Sequence, residues 1–188
     1  MAERPSVVEA AVWVVAVTVG ERQARRAIGG RAAALLATYV PLGVVAALRS
    51  SGPRNVRPSP RWALPLGIGL TFGGYQLGRW LLGDRPTEEP SDPFVLELLS
   101  LGVVVPVAEE LVWGARIEPA VGVGVTASAF AVKHPFIDDR WRRTLGLAAF
   151  WTGLGLIRRR SRLAAVVAHV VANSGAVALG HVTGRDRY

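Results

Sequence analysis

Long apolar runs separated by short charged clusters dominate this sequence. A helix needs about 20 apolar residues to cross a bilayer, with a range of about 17 to 25. Residues 62–82 meet this length with a single charge, Arg79, and residues 163–182 meet it with no carboxylate or arginine. Shorter or more interrupted apolar runs bring the total to about seven. They lie at residues 7–19, 32–48, 94–118, 119–134 and 144–157.

The segments between these runs carry charge, proline or glycine, as loops do. Lipid offers backbone groups no hydrogen-bond partner, so runs rich in Gly, Ala and Val are expected to be packed helices. Hydrophobic residues make up 51% of the 188 residues and charged residues only 19%. We therefore predict an all-α fold, a polytopic transmembrane bundle of about six to eight helices in the cell membrane, with residues 1–188 forming one domain. Residues 7–19 also have the length of a signal-peptide core, although no clear small-residue cleavage site follows.

The net charge of +8 comes almost entirely from arginine, since 21 of the 22 basic residues are arginines. They lie in short clusters between uncharged runs, whereas a nucleic-acid-binding module would carry them on one folded face. Anionic lipid headgroups explain these clusters, so we predict the bilayer as a partner and no nucleic acid. The absence of cysteine excludes disulfides, thiolate catalysis and cysteine-based metal sites.

Five polar residues within the apolar runs are candidates for a functional site. Ionisable side chains inside a membrane cost about 2.5–3.5 kcal/mol each on insertion scales, and chains keep them chiefly for function or internal pairing. The candidate site residues are Glu109 and Glu110 in the fourth run, His134 at the end of the fifth, and His169 with Asn173 in the seventh.

Residues four apart share a helix face, which pairs Phe130 with His134 and His169 with Asn173. Measured from the side where the fourth run ends, Glu109 lies at a depth of about 14 Å, His169 at about 9 Å and His134 at about 22 Å. The two shallower residues can share a layer. His134 joins them only if Pro135 ends its helix early or the fifth run begins or tilts inside the bilayer.

Glu-Glu, Phe-x-x-x-His and His-x-x-x-Asn, in this order on three runs, resemble the motifs of the CPBP family. This family comprises CAAX prenyl endopeptidases of the second type and Abi or bacteriocin-processing proteins. The resemblance covers approximately residues 94–182, which would form the catalytic core. One position departs from the pattern. The family places arginine four residues after the second glutamate, where this chain has Gly114, and Arg116 or Arg79 are the candidate substitutes.

The resemblance implies a membrane endopeptidase. Glu109 and His134 would hold and deprotonate a water, His169 and Asn173 would stabilise the oxyanion, and Glu110 would complete the catalytic set. Phe130 and Trp113 are expected to line the pocket. The family is often described as metalloprotease, and Glu109, His134 and His169 would hold zinc if it were present. The water mechanism requires no cofactor, because the carboxylate and the imidazole suffice to hold and activate the water.

The substrate expected is a peptide or protein at the membrane, with a lipidated tail among the candidates. Two other functions stay open. Because Gly114 stands where the family has arginine, the chain could be a catalytically silent CPBP-like scaffold or self-immunity protein. It could also be an ion-coupled carrier, since intramembrane carboxylates and histidines occur in such carriers. The candidate site residues also have purely structural explanations. Glu109 and Glu110 could end a helix at the membrane interface, and His169 with Asn173 could simply join two helices.

Overall fold

The computed structural model describes residues 5–49, 60–84 and 90–185. Within them the chain forms seven helices and no strand, which confirms the all-α prediction and the helix number. The helices are α1 (Val7–Ala27), α2 (Arg31–Leu48), α3 (residues 63–81), α4 (residues 94–121), α5 (Val123–Asp138), α6 (Thr144–Arg158) and α7 (Arg162–Thr183).

Helices α3 and α4 are not uniform. Helix α3 contains one π-helical segment, Gly69–Gly74, and α4 contains two, Leu98–Val104 and Glu110–Ile117. Pro106 lies just beyond the first segment of α4, and wide turns before a proline accommodate its missing N–H. The second segment begins at the candidate residue Glu110, and π-helical turns are frequent at functional sites.

The helix ends follow local side-chain chemistry. Ser6 and Ser161 cap α1 and α7 by accepting hydrogen bonds from the backbone N–H groups of Glu9 and Ala164, both at 3.1 Å. Helix α2 follows a glycine and has no cap of its own. The Asp92 carboxylate, 60 residues away, accepts from the N–H of Ala32 at 2.9 Å instead and so ties the start of α2 to the start of α4.

Three predicted boundaries were wrong. The break between the fourth and fifth helices falls at Gly122, whose φ of 85° interrupts the helix, and not before Pro119. Pro135 does not end α5, which continues to Asp138. The charged cluster at residues 21–26, read as a loop, forms the last turns of α1 with Glu21 buried.

Glycines bring α3 and α6 into direct backbone contact. A Cβ atom on Gly78 would lie 2.5 Å from the backbone nitrogen of Gly146, and one on Gly153 would lie 2.6 Å from the backbone oxygen of Gly67. Such close approach through small residues is typical of helix packing in membranes. Helix α6 also packs against α5 and α7, while α4 contacts α1, α2 and α7. The main hydrophobic core lies between these helices.

Many large apolar side chains are exposed, and several charged side chains are buried. Large apolar side chains lie on the surface, with Val8 74% and Val182 84% exposed, while Glu109 and Lys133 are 2% and 3% exposed. Other buried charged residues are Glu21, Arg79, Glu97, Glu110, Arg116, Arg143 and Arg158. Two helices, Arg31–Leu48 and Arg162–Thr183, are long and apolar enough to cross a membrane.

Candidate functional site

A cavity of about 360 Å³ is lined mainly by residues of α3 and α7. Glu109 of α4, His134 of α5, and His169 and Asn173 of α7 line it together. Four of the five predicted site residues therefore share one cavity. The fifth, Glu110, does not line it and lies beside His169.

Glu109 is held by partners on two other helices. Its Oε1 accepts a hydrogen bond from Lys133 Nζ of α5 at 2.5 Å and lies 3.1 Å from the Tyr39 hydroxyl of α2. Lys133 also donates to that hydroxyl at 2.8 Å, and Glu21 of α1 lies 2.8 Å from it. A phenol has one proton, so Tyr39 donates to one carboxylate at a time. Four helices meet in this buried network.

Glu110 is held by Arg158 of α6. The guanidinium Nε donates to Oε2 and Nη2 donates to Oε1, both at 2.9 Å. A two-point contact of this kind fixes the carboxylate plane as well as its position. Arg158 Nη1 also pairs with Glu118 of α4. The predicted substitutes for the family arginine were wrong, because Arg116 pairs with Glu9 and Arg79 with Asp84.

His169 lies between the two carboxylates. Its Nδ1 is 3.3 Å from Glu110 Oε1, and its Nε2 is 3.6 Å from Glu109 Oε2. A carboxylate paired with arginine is an acceptor only, so His169 Nδ1 carries the proton of the contact with Glu110. The contact to Glu109 exceeds hydrogen-bond length, and Nε2 and Oε2 face each other across a gap.

His134 reaches the cavity because the helix boundary differs from the predicted one. Helix α5 begins at Val123, so His134 is eleven residues into it, while Glu109 is twelve residues before the end of α4 at Val121. At about 1.5 Å per residue these depths agree to within a few ångströms, and the predicted mismatch disappears. His134 Nε2 is buried with no hydrogen-bond partner among the described residues.

Asn173 connects α7 to the first π-helical segment of α4. Its side-chain nitrogen donates to the backbone oxygen of Leu101 at 3.3 Å, and the neighbouring Ser174 hydroxyl donates to that of Gly102 at 3.2 Å. An amide side chain offers two N–H donors and one oxygen acceptor. The side chain is 8% exposed and lines the cavity.

Aromatic rings link the two histidines. Phe130 packs edge-on against His134 with ring centroids 5.5 Å apart, stacks on Trp151 at 4.3 Å, and Trp151 contacts His169 at 5.9 Å. Phe130 lines the cavity as predicted. The expectation for Trp113 was wrong, because this residue is fully buried against Phe130 and Trp151 and does not line the cavity.

Four residues of the site were not predicted from the sequence: Tyr39, Lys133, Glu21 and Arg158. Lys133 and Tyr39 carried a usable signal, because each places a polar group inside an apolar run. Glu21 and Arg158 carried none, since each belonged to a charged cluster that was interpreted as a loop. Their roles come from contacts across the bundle, to Tyr39 for Glu21 and to Glu110 for Arg158.

The donors do not fit a zinc site. Across residues 5–49, 60–84 and 90–185, no three His, Asp or Glu side chains are arranged to hold a metal ion. Glu109, His134 and His169 share the cavity, but Lys133 already pairs with Oε1 of Glu109.

Comparison with models of protein families, with curated proteins and with solved structures finds no match.

Proposed function

We propose that this chain is a multi-pass integral membrane protein. Two helices have the length and hydropathy of membrane spans. The buried charges and exposed valines support the remaining helices as spans, because lipid solvates an apolar exterior while polar groups pair inside. The glycine-mediated contact of α3 with α6 supports the same conclusion.

We further propose that the protein is an intramembrane endopeptidase of the CPBP type. The observation that carries this proposal is the shared cavity of Glu109, His134, His169 and Asn173, four side chains from three helices. The family resemblance assigns a chemical role to each of them. Their convergence supports those roles, because residues that only join neighbouring helices need not line a common space.

The proposed reaction begins with a water bound between Glu109 and His134. Glu109 Oε2 takes a proton from the water, and the resulting hydroxide attacks the carbonyl carbon of the peptide bond. The C–N bond of the tetrahedral intermediate then breaks, and the proton passes from Glu109 to the departing amine nitrogen. A positioned base of this kind contributes about 10²–10⁴-fold to the rate. The products are a carboxylate and an amine.

His169 and Asn173 are proposed to stabilise the oxyanion. Glu110 holds Nδ1 of His169, which leaves Nε2 directed toward Glu109 and the cavity. Because Nδ1 already carries the proton shared with Glu110, His169 donates a hydrogen bond to the oxyanion from Nε2 as the doubly protonated imidazolium, and Asn173 donates a second. Removing one such donor costs about 2.7–4 kcal/mol in a well-studied enzyme. No step of this scheme passes through a metal ion.

The test uses purified protein in liposomes with a library of internally quenched peptides, each with and without an S-farnesyl group. Reaction in ¹⁸O-water places one heavy oxygen in each new carboxylate, which mass spectrometry detects. Cleavage is compared for wild type and Glu109→Gln. Glu97→Gln is the matched control, since Glu97 is an equally buried glutamate of α4 that pairs with His181 away from the cavity.

We expect Glu109→Gln to lower kcat by about 10²–10⁴-fold. Glu97→Gln should retain the wild-type rate if it remains folded. Absence of cleavage by folded wild type, or equal cleavage by wild type and Glu109→Gln, would remove the peptidase proposal.

A catalytically silent membrane scaffold is the second candidate. The ion pair between Lys133 and Glu109 favours it, because the ammonium occupies one oxygen of the carboxylate that would act as the base. This candidate predicts that Glu109→Gln alters stability and leaves no cleavage rate to change.

A further inference from the structure

We infer that Arg158 is a positioning residue for Glu110 and His169, and that Gly114 is glycine because the Arg158 side chain fills the space beside it. The inference rests on the proposed function for its effect on rate. Whether an arginine at position 114 can replace Arg158 beside Glu110 can be tested without that function.

The first observation is the placement of the Arg158 guanidinium. It contacts both oxygens of Glu110, pairs with Glu118, and lies over the ring of Trp151 with Cζ 5.0 Å from the centroid. The residue is 7% exposed. A buried arginine with carboxylates on two sides and an aromatic ring on a third has little freedom to move.

The second observation is the space at Gly114. A Cβ atom built there would lie 2.6 Å from Arg158 Nε, 2.9 Å from Cζ and 3.1 Å from Nη2. These distances are shorter than van der Waals contact. A side chain at position 114 would therefore clash with the guanidinium of Arg158 in its present place. Position 114 lies about one turn after Glu110 and faces it. Either position can therefore supply the guanidinium, but both cannot do so together.

The third observation connects Arg158 to the cavity. Glu110 Oε1, which accepts from Arg158 Nη2, is also the atom 3.3 Å from His169 Nδ1. Fixing this oxygen keeps a proton on Nδ1 of His169 and holds its ring, and thereby sets the direction of Nε2 toward Glu109. Arg158 does not line the cavity, so it acts on the cavity through the residues that it contacts, of which Glu110 connects it to His169.

The experiment moves the arginine from α6 to α4. Arg158→Ala, Gly114→Arg and the double variant G114R/R158A are purified in detergent. For each we measure the thermal midpoint, the kcat and KM of the peptide cleavage described above, and the ¹⁵N NMR spectrum of the histidine rings. The protein has three histidines, which keeps the spectrum assignable. Arg116→Ala, alone and with Gly114→Arg, is the matched control, because Arg116 pairs with Glu9 and not with Glu110.

Arg158→Ala should lower the midpoint by about 10 °C, since it leaves a buried carboxylate without its charge partner. It should also lower kcat by about 10²-fold with little change in KM, and remove the Nδ1–H signal of His169. Gly114→Arg alone should also be destabilising. The double variant should recover the midpoint, the histidine signal and most of kcat, whereas Gly114→Arg should not rescue Arg116→Ala.

A double variant no better than Arg158→Ala, or one that fails to fold, would overturn the inference. A second measurement is the cost of Gly114→Ala, which should be large with Arg158 present and vanish in the Arg158→Ala background. An equal cost in both backgrounds would also overturn it. If folded wild type cleaves no probe, the peptidase proposal fails, and recovery of the midpoint and of the histidine signal still decides whether the two positions exchange the arginine.

Discussion

Lys133 and Glu109 form an ion pair at the meeting point of four helices, with Nζ 2.5 Å from Oε1. Lys133 is the only lysine of the chain, and its ammonium also lies 4.6 Å from the centroid of the Phe130 ring. Because the lysine takes one carboxylate oxygen, the other is left toward His169 and the cavity. The pair thus both orients Glu109 and balances its charge.

Replacing Lys133 with Met should destabilise the protein by about 3–5 kcal/mol, because the carboxylate of Glu109 would be buried without its partner. The free energy of unfolding is measured by titrating sodium dodecyl sulfate into mild-detergent micelles. The double variant K133M/E109Q removes both charges and should recover most of the loss. If the double variant loses as much as Lys133→Met, the ion pair is not the source of the effect.

Chemical labelling should show whether the Lys133 ammonium is buried in the folded protein. Lys133 is 3% exposed, and its Nζ donates to Glu109 and Tyr39, which leaves no accessible nucleophile. We expect an amine-reactive reagent to leave Lys133 unmodified in mild detergent and to modify it after denaturation, as mapped by peptide mass spectrometry. Rapid modification of the folded protein would contradict the placement of Lys133 in the core.

The sequence predicted the helix number and four polar residues that share the cavity, because apolar length and four-residue spacing are local properties. It did not predict the partners of the carboxylates. Lys133 directly precedes His134, and adjacent residues of a helix point about 100° apart, so one faces Glu109 while the other lines the cavity. Arg158 directly follows a predicted span and resembled a loop arginine. Only the folded bundle, in which the Arg158 side chain reaches from α6 to α4, directs it to Glu110.

Substituting Gly78 with Ala should separate α3 from α6. The new methyl would lie 2.5 Å from backbone atoms of Gly146, which cannot rotate away. We expect a loss of about 1–3 kcal/mol in the free energy of unfolding, measured in the same detergent titration. Gly73→Ala on the same helix is the control. Its methyl meets nothing within 4 Å, so the protein should be unchanged or more stable by about 0.5–1 kcal/mol.

Filling the cavity should block cleavage without unfolding the protein. Ala176 of α7 lines the cavity, and a tryptophan there would occupy space that the substrate needs. We expect Ala176→Trp to lower kcat/KM by about tenfold or more, which corresponds to about 1.4 kcal/mol in the barrier. The control is Val167→Trp on the same helix, at a residue that is 52% exposed and does not line the cavity. Equal rates for both variants, at equal thermal midpoints, would mean that the chemistry takes place elsewhere. A selective loss for Ala176→Trp would locate substrate binding between α3 and α7, beside Glu109 and His169.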